Sequence, residues 1–108
     1  MIVTPRERDS HTTDLTPGQP YVVLGIEADD LRILNDQGRP YLYPRELFTT
    51  LDASEPSDWV SERGEDAERY AYPPALNSPG FFEDFFDGKL EAIATFWRVM
   101  NRRLAAAA

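Results

Sequence analysis

"YVVLGIEADDLRILNDQGRPYLYPRELF", residues 21–48, holds three apolar runs separated by two turns, and its reading decides the fold. Along Tyr21 to Glu27 the side chains alternate, with Val22, Leu24 and Ile26 on one face of a strand and Tyr21, Val23 and Gly25 on the other. Gly25 in mid-strand predicts a bulge or bend, the device by which a strand rounds the corner of a small barrel. "EADD" (27–30) makes a turn, and Leu31 to Ile33 begin a second strand. "NDQG" (35–38) is a hairpin turn in which Gly38 supplies the positive φ. "RPYLY" (39–43) is the third strand, with Pro40 near its start, where a missing donor does least harm. "PRELF" (44–48) reads as one tight turn of helix opened by Pro44.

Beyond it, "FTTL" (48–51) resumes a strand, and Trp59 to Ser61 pairs with "ERYAY" (68–72) across a "RGED" turn (63–66). Short strands broken by turns, with one helical turn before the last barrel strand, predict an α+β fold. The specific expectation is a small SH3-like β-barrel of about five strands with a C-terminal helical addition. In that addition Ser78 and Pro79 start a short helix that gathers Phe81, Phe82, Phe85 and Phe86 largely on one side, ended by Gly88. The following helix, "KLEAIATFWRVMNRRL" (89–104), carries Leu90, Ile93, Trp97, Met100 and Leu104 at spacings of 3 and 4, the pattern of a stripe laid on a core. Glu91 near its positive end and Arg98, Arg102 and Arg103 near its negative end match the helix dipole. Residues 1–16 read as a flexible leader to which "MIV" adds at most a short strand. "TPGQP" (16–20) then opens a single domain over 17–108.

Composition narrows the function. A chain of 108 residues suits one core, and 42% hydrophobic residues are ordinary for a globular domain. The net charge of −8 and pI near 4.5 speak against direct binding to a nucleic-acid backbone, which needs a basic footprint. With no cysteine, disulfides and thiolate chemistry are excluded. No stretch approaches the roughly 18 apolar residues of a membrane span, and the N-terminus has no apolar signal core. The expectation is a cytoplasmic protein that binds neither nucleic acid nor membrane.

Chemistry-bearing motifs are scarce. His11 is the sole histidine and sits in the polar leader without a partner to orient it. The six glycines are spaced as turn punctuation, so no phosphate loop is present. Paired carboxylates occur at Asp29–Asp30 and at Glu83, Asp84 and Asp87, but the latter lack the alternating oxygen ligands and terminal Glu of a calcium loop. No catalytic residue, metal site or cofactor is expected, and the chain reads as a binding protein.

Charge distribution says where binding would occur. Residues 52–91 hold eleven acids and three bases, a surplus equal to the whole net charge of −8. Aromatics interleave with these acids, as in interfaces where rings anchor and charges steer. The candidate partner-binding residues are Asp58, Trp59, Glu62, Glu65, Asp66, Glu68, Tyr70, Tyr72, Glu83, Asp84 and Asp87.

The stretches "TPGQPYVVLGIEADDLRILNDQGRPYLYP", "LF", "EPSDW" and "GFFEDFFDG" together resemble a group of small, largely uncharacterised acidic bacterial proteins. The resemblance spans roughly residues 15–104, leaving the basic leader around Arg6 and Arg8 outside it. It implies an SH3-like barrel with additions, similar to some immunity proteins of toxin systems, and assigns no site residue. The leading expectation is therefore an immunity or inhibitor protein whose acidic surface neutralises a basic toxin, such as a nuclease. The alternative is an SH3-like module that binds a peptide or protein subunit through an aromatic groove.

Overall fold

The computed structural model describes residues 1–6 and 13–107, with side chains as far as Arg103. The fold is α+β and divides into two units, Met1–Tyr72 and Pro73–Ala108.

Seven antiparallel strands make up the first unit: β1 (Ile2–Pro5), β2 (Tyr21–Glu27), β3 (Asp30–Leu34), β4 (Pro40–Pro44), β5 (Phe48–Asp52), β6 (Val60–Arg63) and β7 (Arg69–Tyr72). The main order is β4-β3-β2-β1-β5; β7 pairs with the far half of β2, and β6 pairs with β7. Among the described residues the sheet does not close on itself.

β2 is the pivot. Its first residues pair with β1 (Val3 opposite Tyr21) and its last with β7 (Ile26 opposite Ala71), while β3 runs along its other edge. One strand serves two neighbours because it bends: the register with β3 shifts between Val23 and Gly25. That bulge also changes which face points inward. Tyr21 and Val23 are buried while Val22 is exposed, yet Leu24, Gly25 and Ile26 are all buried. The simple alternation expected of Val22, Leu24 and Ile26 is thus broken at the bend, since an extra residue moves the chain out of phase with its pleat.

Both ends of the stretch 1–16 belong to the fold, and "MIV" does add to a short strand. Residues 2–5 form β1 between β2 and β5, and Val3 is 0% exposed. Leu15 also joins the core, with Val23, Ile26, Leu31, Ile33, Phe48 and others. Asp14 accepts the Asp36 N–H through its carbonyl at 2.9 Å and the Tyr43 hydroxyl through its carboxylate at 2.7 Å. Met1–Arg6 and Thr13–Thr16 are therefore structural, and His11 and Arg8 lie outside the described residues. Pro44 does open a single 3₁₀ turn, Arg45–Leu47, which leads directly into β5.

The second unit holds a 3₁₀ turn (Pro74–Leu76) and two α-helices, α1 (Phe81–Phe86) and α2 (Leu90–Ala107). Gly80 (φ 73°) enters α1 and Gly88 (φ 79°) leaves it, both left-handed positions suited to glycine. Phe81, Phe82 and Phe85 are buried, and the Phe82 and Phe85 rings meet Phe96 at centroid distances of 6.3 and 4.9 Å. The core stripe of α2 is Ala92, Phe96 and Met100, not the expected set. Among the described residues Met100 is common to both, and Ile93 of the expected stripe is half-buried. Leu90 is 81% exposed and Trp97 is 37% exposed, while the Leu104 side chain lies outside the described residues. Two adjacent faces of this helix are apolar, so periodicity alone chose the wrong one.

Candidate functional site

The β6–β7 hairpin holds six of the eleven candidate residues and the turn before it holds Asp58 and Trp59; the other three, Glu83, Asp84 and Asp87, sit on and just after α1 in the second unit. The charge surplus therefore forms two groups, one in each unit.

A turn that donates the Trp59 N–H to the Pro56 carbonyl at 3.3 Å leads into the hairpin. Cross-strand pairs follow: Val60 with Tyr72, Ser61 with Ala71, Glu62 with Tyr70 and Arg63 with Arg69. Gly64 donates to the Glu68 carbonyl at 2.9 Å and closes the tip. Within that tip Ala67 adopts φ 63°, a left-handed conformation that costs a β-carbon-bearing residue energy. The Glu68 carboxylate steadies the tip by accepting the Asp66 N–H at 2.9 Å. Glu68 is thus a turn-holding residue as well as an acid.

Both arginines of the hairpin are held by hydrogen bonds. Arg69 grips Glu55 through two hydrogen bonds of 2.6 and 2.5 Å and donates Nε–H to Ser61 Oγ at 2.8 Å. This two-pronged contact holds the Glu55 carboxyl below its ordinary range and the guanidinium above its own. Like charges at Arg63 and Arg69 stand opposite each other, and Glu55 offsets the repulsion. Arg63 itself donates to the Ala67 carbonyl at 3.1 Å. Asp58, Glu62, Glu65 and Asp66 are exposed and outnumber these cations, which gives the hairpin and the turn before it a negative field.

The aromatics take other roles. Tyr72 is buried, 6% exposed, and donates its hydroxyl to Glu27 Oε2 while accepting from Arg32 Nε at 3.0 Å. Arg32, buried too, completes the group with a 2.5 Å ion pair to Glu27 and a 2.9 Å bond to the Pro40 carbonyl. Burial, followed by the Glu27 carboxylate, pushes the Tyr72 phenol well above its ordinary value despite Arg32. Gly25 lies under this ring: a β-carbon there would come within 2.2 Å of Tyr72. Tyr72 is therefore a core tie. Trp59 packs half-buried against the core, and its indole N–H is buried without a hydrogen-bond partner. Tyr70 is half-buried beside Glu62, with its hydroxyl 3.4 Å from Glu68.

Asp29 and Asp30 lie outside the acidic stretch 52–91, yet they belong near the hairpin. Ala28 (φ 54°) donates to the Arg69 carbonyl at 2.8 Å, fastening the β2–β3 turn to the base of β7. Beside that turn is an open hollow of about 460 Å³ lined by Asp29, Asp30, Pro44, Arg45 and Glu46. The doubled aspartate was the available signal; its distance of 40 residues from β7 concealed the contact.

On the second unit, Glu83 and Asp87 are exposed and Asp84 forms a 3.0 Å ion pair with Lys89. That contact raises the Lys89 ammonium pKa. Among the described residues no three histidines or carboxylates are grouped to hold a metal, and no helix is long and apolar enough to cross a membrane. No family model, curated protein or solved structure matches this chain.

Proposed function

We propose that this chain is a non-enzymatic binding protein, acting in the cytoplasm, that engages a basic protein partner through the outer side of the β6–β7 hairpin. The role we infer is that of an immunity or inhibitor protein, with the partner a toxin such as a nuclease. Such an enzyme has a cationic, phosphate-binding site that a cluster of carboxylates would occupy or crowd. The observation that carries this reading is the sorting of charge within the hairpin. Arg69 is bound to Glu55 and Ser61, and exposed acids stand beside it: Glu62 on β6, a strand exposed at every residue, and Glu65 and Asp66 in the turn that follows. We further propose that the sheet is an SH3-like barrel elaborated by this hairpin. The β2-β3-β4 meander, the 3₁₀ turn after Pro44 and the return of β5 to β1 support that reading. An aromatic peptide groove has less support, because Tyr43 and Tyr72 are buried and Tyr41 is the large exposed aromatic of this unit.

The test is affinity capture from the native cell, then association kinetics with the captured protein. A basic partner is expected, with an association rate that falls steeply as salt shortens the screening length to about 8 Å at physiological strength. The triple variant Glu62→Lys, Glu65→Lys, Asp66→Lys should lose that salt dependence and bind slowly while remaining folded, since exposed charges contribute little to stability. Glu68 is left in place because it holds the turn. A partner bound at the same rate by wild type and variant at all salt concentrations would overturn the reading.

A further inference from the structure

The face of α2 that the sequence pattern mistook for core has a use of its own. Leu90 (81% exposed), Ala94 and Trp97 (37% exposed) follow one another at spacings of 4 and 3, so they form one row along the helix. Phe86, 42% exposed at the end of α1, lies four residues before Leu90 and adds to the exposed apolar area of this unit. A single exposed leucine needs no explanation, but a continuous apolar row signals a contact surface.

Charge identifies what covers it. Glu91 and Arg98 are seven residues apart, about two helical turns, so both lie on the same flank of the row. The helix is acidic at its start and basic further on, with Arg102 continuing that polarity. A parallel copy would bring Glu91 level with Glu91. In an antiparallel copy the same flanks face each other, and Glu91 comes level with Arg98 of the second copy, and Arg98 with its Glu91. A two-fold axis at Ala94 lies between the midpoints of the two pairings, so it brings Leu90 beside Trp97 of the second copy and keeps each pair within about one residue of level. Ala94, the smallest side chain of the row, occupies the crossing point, where it permits close approach of the two helices. A surface complementary to itself under a two-fold rotation is what a closed homodimer requires.

We propose that the chain forms a two-fold dimer through antiparallel packing of α2 on α2. Sedimentation of the full chain over a range of concentration should show reversible dimerisation. Leu90→Glu should abolish it without changing the circular dichroism spectrum, because that side chain is almost entirely in solvent. Glu91→Arg and Arg98→Glu should each weaken association by roughly tenfold, since two pairs change sign at once. The double variant should restore it. Val22→Glu, on the exposed face of the sheet, should leave the dimer intact. A wild-type chain that stays monomeric at millimolar concentration, a Leu90→Glu dimer, or a double variant no better than its parents would each overturn the proposal.

Discussion

The two units solve the problem of burying aromatic rings in opposite ways. The sheet unit buries tyrosines and ties each hydroxyl to a carboxylate: Tyr21 to Asp36 at 2.5 Å, Tyr43 to Asp14 at 2.7 Å, and Tyr72 to Glu27. The helical unit buries phenylalanines in edge-to-face contact around Phe96, which is 0% exposed. Backbone hydrogen bonding explains the difference. A helix satisfies its peptide groups internally, so its side chains need only fill space. A bent, open sheet has loops and strand ends to secure, and a buried ring with a polar tip does so at long range. Asp36, for instance, is held below its ordinary carboxyl range by Thr16 first and Tyr21 second, linking the residues that precede β2 to the β3–β4 turn. The lesson is that one unit depends on packing and the other on packing plus polar ties.

Breaking the phenylalanine core should have the largest effect. Phe96→Ala is expected to cost about 3–5 kcal/mol, the usual range for truncating a buried aromatic ring. Trp97→Ala should cost distinctly less, since its ring is partly in solvent. Urea unfolding followed by the helical circular dichroism signal would rank the two. Equal costs would mean that both faces of α2 carry core weight.

In the sheet unit, Gly25→Ala should cost about 1–3 kcal/mol, because the new methyl drives into the Tyr72 ring and must displace it. Tyr72→Phe keeps the ring and removes only the hydroxyl, leaving Glu27 and Arg32 to each other. A loss of about 1–2 kcal/mol is expected. If Tyr72→Phe proved neutral in urea unfolding, the polar tie would be dispensable and the contrast between the units would collapse to packing alone.

Alkali should reveal the same contrast gradually. The phenols of Tyr21, Tyr43 and Tyr72 are raised above their ordinary 10.0, in each case by burial before any other cause. A group with a raised folded-state pKa contributes stability in full below its unfolded value, and that contribution is lost as pH rises toward the folded value. Stability should therefore fall from about pH 10 upward, and tyrosinate absorbance should appear together with loss of the sheet signal. A sheet that survives while all five tyrosines ionise freely would contradict this.

The smallest effect is a gain. Ala67→Gly relieves a left-handed alanine at the hairpin tip and should raise stability by about 0.5 kcal/mol, after the entropy cost of glycine is deducted. A decrease would mean that the tip is held by contacts of the Ala67 methyl.

Much of the strand layout was legible because its signals are local. Gly38 with its turn, Pro44 with the 3₁₀ turn and Gly25 with the bulge each act through the conformation of a few adjacent residues. The acids of the hairpin tip were legible for the same reason, since a turn rich in Gly, Glu and Asp faces water whatever lies beneath it. What remained hidden was every property that depends on a distant partner. Tyr72 has the composition of an interface residue, and only Glu27 and Arg32, 45 and 40 residues away, make it a core tie. Val3 sits in a short strand that looks like a leader, and only pairing with Tyr21 and Thr50 buries it. Phe96 and Trp97 are neighbours of nearly equal hydrophobicity, so no period distinguishes them; the rings of Phe82 and Phe85 decide that Phe96 is core. The sequence determined by itself where the chain turns, because a turn costs or gains energy within four residues. Tertiary structure decided which side chains are buried and which remain for partners, because burial is a property of pairs that the chain brings together only when it folds.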